Sequence, residues 1–338
     1  MRLTVAPRWL FAAKAVLAAV AVAGLVRLVH PSDVRAAWAA ADVRWLAAAL
    51  ALLPLNVGLE AVRWGRLVQR VVPGVRMRDA VVAVVGAYPM GLLTPGRVGD
   101  FVGRAAFLPG VTAGTSAALT FGERMATLLC CLAGGLAALP VNPAAAAAPG
   151  GAWTAVGVWA LAASAVLGAG FASPGRTGRV LSAIVPLRSV RAAFAAFEQI
   201  PRSESSVLVG LSLARYAVFS AQFALLVHAF APGAAWGGVV AGVAVVYLLK
   251  SALPQVTLGD LGVREGVAVF VLAGAGVAPA AALNASLAVF VVNLVLPALA
   301  GLPLLSRLRL PEAPRAAPAV PAVPASAAPV GRLAEGAA

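Results

Sequence analysis

Ten ionisable side chains stand inside or against the long apolar runs of this 338-residue chain: Arg97, Asp100, Arg104, Glu123, Arg124, Arg215, Lys250, Asp260, Arg264 and Glu265. A charge at the centre of a membrane helix costs about 2.5–3.5 kcal/mol on insertion scales, so such groups must pair or face water. Each of the four acids has an arginine close in sequence, which allows two chemistries. Arg97, Arg104, Arg124 and Arg264 can neutralise Asp100, Glu123, Asp260 and Glu265, four against four, as a structural set. Arg215 and Lys250 are then left over. Surplus arginine suits a phosphate, because its planar fork makes bidentate contacts. Lys250 has a plainer alternative, reaching its ammonium to the membrane surface. The carboxylates can in principle hold Mg²⁺, but the neighbouring arginines argue for ion pairs, and no metal or other cofactor is expected. No Gly-x-Ser-x-Gly, His-Glu-x-x-His or Walker loop occurs. The sequence therefore points away from an enzyme.

Composition names the elements that must hold these charges. The chain is 62% hydrophobic and 11% charged, against about 25% charged in soluble domains. Its net charge of +14 does not indicate nucleic acid, since the basic residues lie scattered between apolar segments without aromatic interleaving. Long apolar runs without ten-residue alternation mean helices rather than a barrel. Spans are expected near 10–29, 45–62, 115–139, 152–172, 206–230, 236–254 and 279–303, with shorter runs at 80–95 and 264–277. The first is read as an uncleaved helix rather than a signal peptide. Cys130 and Cys131 are adjacent and are the only cysteines, so no internal disulfide is expected. His30 and His228 are the only histidines, too few for a zinc cluster. His228 is read as an interhelical hydrogen bonder.

Loop charge orients the spans. Segments 63–78 and 173–204 each carry five arginines and should be cytoplasmic, whereas 140–151 and 231–235 carry no charge and should face out. The run 80–95 must then leave and return on one face. Broken by Gly86, Pro89, Gly91 and Pro95, it suits a re-entrant hairpin, which is tolerated where protein or a wet cavity surrounds it. By the same count 264–277 is a short outward segment after a full span at 236–254. In the cytoplasmic segment, Leu187, Val190, Phe194 and Phe197 share one helical face, which fits either an interfacial helix or one packed on neighbouring loops. The Pro/Ala-rich residues 306–338 read as a disordered tail.

"TPGRVG" at 94–99 and "TLGDLG" at 257–262 share Thr-x-Gly-x-(Val/Leu)-Gly, each after an apolar helix containing proline. Gly96, Gly99, Gly259 and Gly262 are structural candidates there, with Arg97 and Asp260 at corresponding positions. Transporters are often built from two such repeats whose broken helices meet near the midplane.

These residues resemble the integral membrane, flippase-like domain of lysylphosphatidylglycerol synthases, over roughly residues 10–305. The resemblance rests on Pro95, Gly96, Arg97, Gly99, Asp100 and Arg104; on Glu123-Arg124; on "PQVTLGDLGVREG", with Gly259, Gly262, Arg264 and Glu265; and on "RWGRL" at 63–67. Asp100 stands where the family usually has glutamate, and Asp260 replaces the second glycine of a usual pair. The family's aminoacyl-transferase domain has no counterpart in the sequence, which implies a stand-alone form.

The expectation is an all-α polytopic membrane protein of about seven or eight transmembrane helices, with broken or re-entrant segments near 80–108 and 255–277 and an internal pseudo-repeat. Residues 1–305 form one membrane domain, with an amphipathic cytoplasmic segment at about 177–200. The resemblance implies a lipid transporter of a bacterial or archaeal inner membrane, with both termini cytoplasmic. It would move an anionic or zwitterionic phospholipid or lipid-linked intermediate between leaflets, with the ten charged residues binding substrate. Alternatives are a membrane-embedded head-group transferase or hydrolase, and a non-transporting partner of a membrane glycosyltransferase. Membrane lipids are the expected partners, and nucleic acid is not. Oligomeric state is left open.

Overall fold

The computed structural model describes residues 16, 19–20, 22–94, 97–142, 151–184, 191, 194, 200–253 and 261–308. Regular structure among them is helical throughout. Residues 22–28 are helical and lead into α1 (Pro31–Ala39), α2 (Val43–Ala51), α3 (Leu53–Val71), α4 (Met77–Leu92), α5 (Val98–Gly103) and α6 (Ala113–Ala138). Then follow α7 (Ala152–Ala172), α8 (Pro174–Ile184), α9 (Arg202–Phe230), α10 (Trp236–Ala252), α11 (Val263–Ala273), α12 (Pro279–Phe290) and α13 (Leu296–Gly301). Among the described residues, five segments are long and apolar enough to cross a membrane: Val43–Val71, Ala113–Val141, Ala152–Ala172, Arg202–Phe230 and Pro279–Arg307. The chain is a multi-pass helical membrane protein.

Helices α3 and α9 run antiparallel, and four contacts between their segments measure depth. Asp42 N donates to the Ala229 carbonyl at 2.9 Å at one end. Asn56 Nδ2 donates to Gln222 Oε1 at 3.0 Å, and Arg215 Nη2 to Glu60 Oε2 at 2.6 Å, further along. Arg66 Nε donates to Glu204 Oε1 at 2.6 Å at the other, arginine-rich end. The seam between α2 and α3 falls at Leu52, two residues before Pro54, which has no N–H to continue the ladder. The Ala49 carbonyl beside this break accepts from Gln222 Nε2 at 3.0 Å.

Two hairpins enter this frame from opposite ends. In the first, α5 and the short 3₁₀ turn after it fold back along α4, so that the Phe107 ring lies against Gly86. Leu108 and Val111 end beside Val72, at the level where the segment began. The hairpin therefore leaves and returns at the arginine-rich end, but the run expected to turn back within 80–95 is one continuous helix to Leu92, with Pro89 inside it, and the return falls to α5 and the 3₁₀ turn. In the second, α11 folds back along α10. Leu272 meets Gly242, and Ala275 approaches Gly238 near the end where Trp236 opens α10. Gly276, at φ 74°, stops α11, with Val277 N–H bonded to the Leu272 carbonyl at 3.1 Å. Glycine takes this left-handed conformation without a Cβ clash.

Three further expectations change, at 45–62, at 236–254 and at His228, while the span at 279–303 is present with a local irregularity. The span expected at 45–62 continues to Val71, so Arg63, Arg66 and Arg70 lie on a helix rather than in a loop. Arginine is a good helix former, and acids on other helices neutralise these three. The run 236–254 ends with Lys250, Ser251 and Leu253 against an internal cavity rather than at a far surface. The span at 279–303 carries a π turn at Val291–Val295, just ahead of Pro297, whose missing N–H removes a ladder bond. His228 stacks on Trp236 with centroids 3.6 Å apart, and its Nε2 has no hydrogen-bond partner, so flat packing replaces the expected interhelical bond. Cys130 and Cys131 are free thiols. Phe194 packs edge-on against Phe121 at 5.6 Å, which favours a packed arrangement over a purely interfacial one at that residue. Leu187, Val190 and Phe197 of the amphipathic segment, and most of the tail, lie outside the described residues.

Candidate functional site

The tip of the first hairpin is built from its own hydroxyl and one strained residue. Thr94 Oγ1 donates to the Met90 carbonyl and accepts from Gly99 N, both at 2.7 Å. Arg97 sits in the left-handed region at φ 56° and ψ 32°. A non-glycine residue held there costs on the order of 1–3 kcal/mol, and such strain clusters at ligand clamps and switch regions. The conformation sets the Arg97 guanidinium 2.5 Å from Asp100 and 5.4 Å from the Tyr88 ring centroid. Asp100 also binds Arg124 of α6 at 2.7 Å. The close approach that allows this falls at Gly91 and Gly99. A Cβ at Gly91 would overlap the Asp100 carboxylate, and one at Gly99 would overlap the Met90 carbonyl. Because backbone cannot swing aside as a side chain can, Gly99→Ala is expected to destabilise the protein by about 1–3 kcal/mol, in the range for overpacking. A thermal unfolding series in detergent measures this.

Behind the tip lies a buried chain of charges. Arg104 Nη2 reaches Glu60 at 2.5 Å, and its Nη1 reaches Glu123 at 2.7 Å. Arg63 pairs with Glu123 at 2.9 Å and also donates to the Glu123 carbonyl and to Thr127 Oγ1. Glu60 additionally accepts from Arg215 at 2.6 Å and from the Tyr88 hydroxyl at 2.8 Å. Five elements thus meet: α3, the first hairpin and its 3₁₀ turn, α6 and α9, with α10 completing the wall. Burying so many charges needs this density of partners, because a buried ion is stable only when paired and hydrogen-bonded.

A cavity of 410 Å³ opens beside the network. Arg63, Arg97, Arg104, Arg124, Arg215 and Lys250 line it, with Glu60 and Glu123, and Asp100 sits between Arg97 and Arg124. Among the described residues, six formally positive side chains and three acids thus gather here. Both hairpin tips contribute, through Arg97 and Phe101 on one side and Lys250, Ser251 and Leu253 on the other.

Seven of the ten charges expected from the sequence come together here: Arg97, Asp100, Arg104, Glu123, Arg124, Arg215 and Lys250. Arg264 and Glu265 do not line this cavity. They pair with each other at 2.5 Å, and both bind Ser286 of α12. Glu265 also caps its own helix by accepting from Gly262 N at 2.7 Å. Gly96, Gly259 and Asp260 fall outside the described residues. Sequence reasoning missed Glu60 and Tyr88 and took Arg63 for a loop residue. The signal was present in "NVGLEAVR", where Asn56, Glu60 and Arg63 recur at i, i+4 and i+7 within an apolar run and so share one helix face.

A family model described as the lysylphosphatidylglycerol synthase TM region matches residues 11–301. The chain belongs to that family. No curated protein matches the chain. Membership of the synthase membrane-region family ties the protein to membrane lipids, and the matched residues contain both hairpins and the whole charged cavity. Guanidinium groups held in a partly desolvated cavity bind phosphate oxygens strongly, and the acids fix their forks without cancelling their charge.

Proposed function

We propose that the protein moves a lipid with an anionic or zwitterionic phosphate head group between the two leaflets of the membrane. The observation that carries this reading is a 410 Å³ cavity lined by five arginines, between two hairpins that enter from opposite ends. A phosphate entering the cavity would exchange for an acid on Arg97, Arg124 or Arg215, whose side chains are partly exposed at 22%, 29% and 17%. Arg63 and Arg104, exposed at no more than 2%, would hold the frame while those partners exchange. Paired helix breaks at the midplane are the usual place for a transport site. The arginine-rich end is read as cytoplasmic by the positive-inside rule.

Purified protein reconstituted into liposomes with head-group-labelled phospholipids and polyprenyl-linked lipids tests the proposal. Lipid is expected to cross faster than in protein-free vesicles for at least one class. Movement at the protein-free rate for every class would remove the reading. Product formation by the detergent-solubilised protein, with no bilayer present, would favour a head-group enzyme instead.

A further inference from the structure

Away from the central cavity, two further depressions lie at the arginine-rich end and share a wall. The first, of 360 Å³, is lined by Arg176 and Arg179 of α8, Arg202 of α9, and Ser173, Pro174, Gly175, Ile200 and Pro201. No acid lines it among the described residues. Glu204, the nearest acid along α9, is already engaged, with both its oxygens bonded by Arg66 and one also by Arg70. The three arginines therefore keep their charge uncompensated by it.

The second depression is a groove of 540 Å³ between α6, α7, α8 and α9, within the about 300–1,000 Å³ usual for ligand sites. Its wall is almost wholly apolar, including Val166, Leu167, Phe171, Val180, Leu181 and Leu208. Ser173, Pro174, Arg176 and Ile200 belong to both depressions, so the basic pocket opens directly into the apolar groove. At its other end the groove shares Phe121 and Met125 with the central charged cavity.

We infer that this pair of depressions is a second lipid site, holding one anionic phospholipid drawn from the adjacent leaflet. Its phosphate sits on Arg176, Arg179 and Arg202, and one acyl chain lies in the groove. The order of surfaces matches the order of chemistry in such a lipid: charge at the membrane surface, then hydrocarbon directed inward. A soluble anion would use the arginines and leave the groove unfilled, and a neutral lipid would use the groove and leave the arginines unpaired. Scattered loop arginines that only orient the chain need no apolar groove continuous with them. Because the groove ends at Phe121 and Met125, the bound lipid waits one side chain away from the central cavity. That entry role rests on the proposed lipid movement, whereas the site itself does not.

The test counts lipid retained by the full-length protein in detergent, by native mass spectrometry, with phosphatidylglycerol or phosphatidylcholine added. Wild type is expected to hold one phosphatidylglycerol beyond any that Arg215→Gln releases, and neither phosphatidylcholine nor glycerol 3-phosphate displaces it. R176Q/R179Q/R202Q should weaken its retention about tenfold or more, the equivalent of losing charge-assisted bonds. Gly170→Leu keeps all three arginines but fills the groove. A Cβ at Gly170 would make ordinary contacts only, the nearest with Thr177 Oγ1 at 3.5 Å, so the fold should tolerate the change. It should weaken retention comparably. Unchanged retention in Gly170→Leu would mean that the groove is filled by the protein itself, and would overturn the site. Equal retention of phosphatidylcholine would overturn it as well. Arg215→Gln, in the central cavity, should leave this lipid in place. If retention follows the expected pattern while vesicles show no lipid movement, the second site stands and the transport reading alone fails.

Discussion

Arg104→Leu is expected to lower stability by about 3–5 kcal/mol, the range for breaking a buried ion pair by removing one partner. The size follows from what the guanidinium holds apart and together. It bridges Glu60 and Glu123 at 2.5 and 2.7 Å while itself only 1% exposed. It also lies over the Trp64 ring, 5.4 Å from the centroid. Without it, two buried carboxylates on different helices lose their common cation. Arg215 and Arg63 then carry them alone. Leucine cannot reach either acid, so the 3₁₀ turn at Arg104–Phe107 loses its tie to α3 and α6. The midpoint of thermal unfolding in detergent reads the loss. A shift corresponding to less than about 1 kcal/mol would mean that the network behaves like an exposed ion pair. Adding Glu60→Gln and Glu123→Gln to Arg104→Leu should not restore stability, because Arg63 and Arg215 would then be the buried cations left without an acid.

The second large effect is expected on transport. Glu60→Gln removes the acid shared by Arg104, Arg215 and the Tyr88 hydroxyl. An amide keeps the shape and one acceptor oxygen but offers no charge to two guanidinium groups. The cavity's positive excess rises, so a phosphate should bind more tightly and leave more slowly. Lipid movement in vesicles should fall to the protein-free rate, while phosphatidylglycerol protects the variant against unfolding at least as well as it protects the wild type. The opposite pattern, normal movement with weaker binding, would show that Glu60 serves only to pack α3 against α9. Pairing the change with Arg215→Gln in a double-mutant cycle isolates the direct coupling, which is expected in the range of about 0.5–3 kcal/mol for residues in one network.

Both predictions depend on Glu60, which reading along the chain did not single out. It stands in a run that passes as an ordinary span, and its importance comes from residues 28 to 155 positions away. Arg97, Asp100, Arg104, Glu123 and Arg124 were legible because proline, glycine and charge interrupt hydrocarbon so conspicuously there. Arg264 and Glu265 were equally conspicuous but turn inward to each other and Ser286. A charge in an apolar run shows that a partner must exist and does not show which helix carries it.

The sequence by itself determined that the chain crosses a membrane in helices, since its long apolar runs satisfy their backbone within a helix and lack the ten-residue alternation of a barrel. It pointed to a same-side hairpin after residue 78 from the arginines at 63–78, but the structure keeps α4 as one continuous helix and makes the return with α5 and the 3₁₀ turn at Arg104–Phe107. The tertiary structure alone decided the pairing. Which guanidinium meets which carboxylate depends on the antiparallel register of α3 and α9 and on how far each hairpin reaches. Those depend on close approaches such as Gly99 against Met90 and Gly242 against Leu272. Helix formation follows from local chemistry and spacing. The cavity's charge balance follows from distances between residues that the chain order leaves far apart.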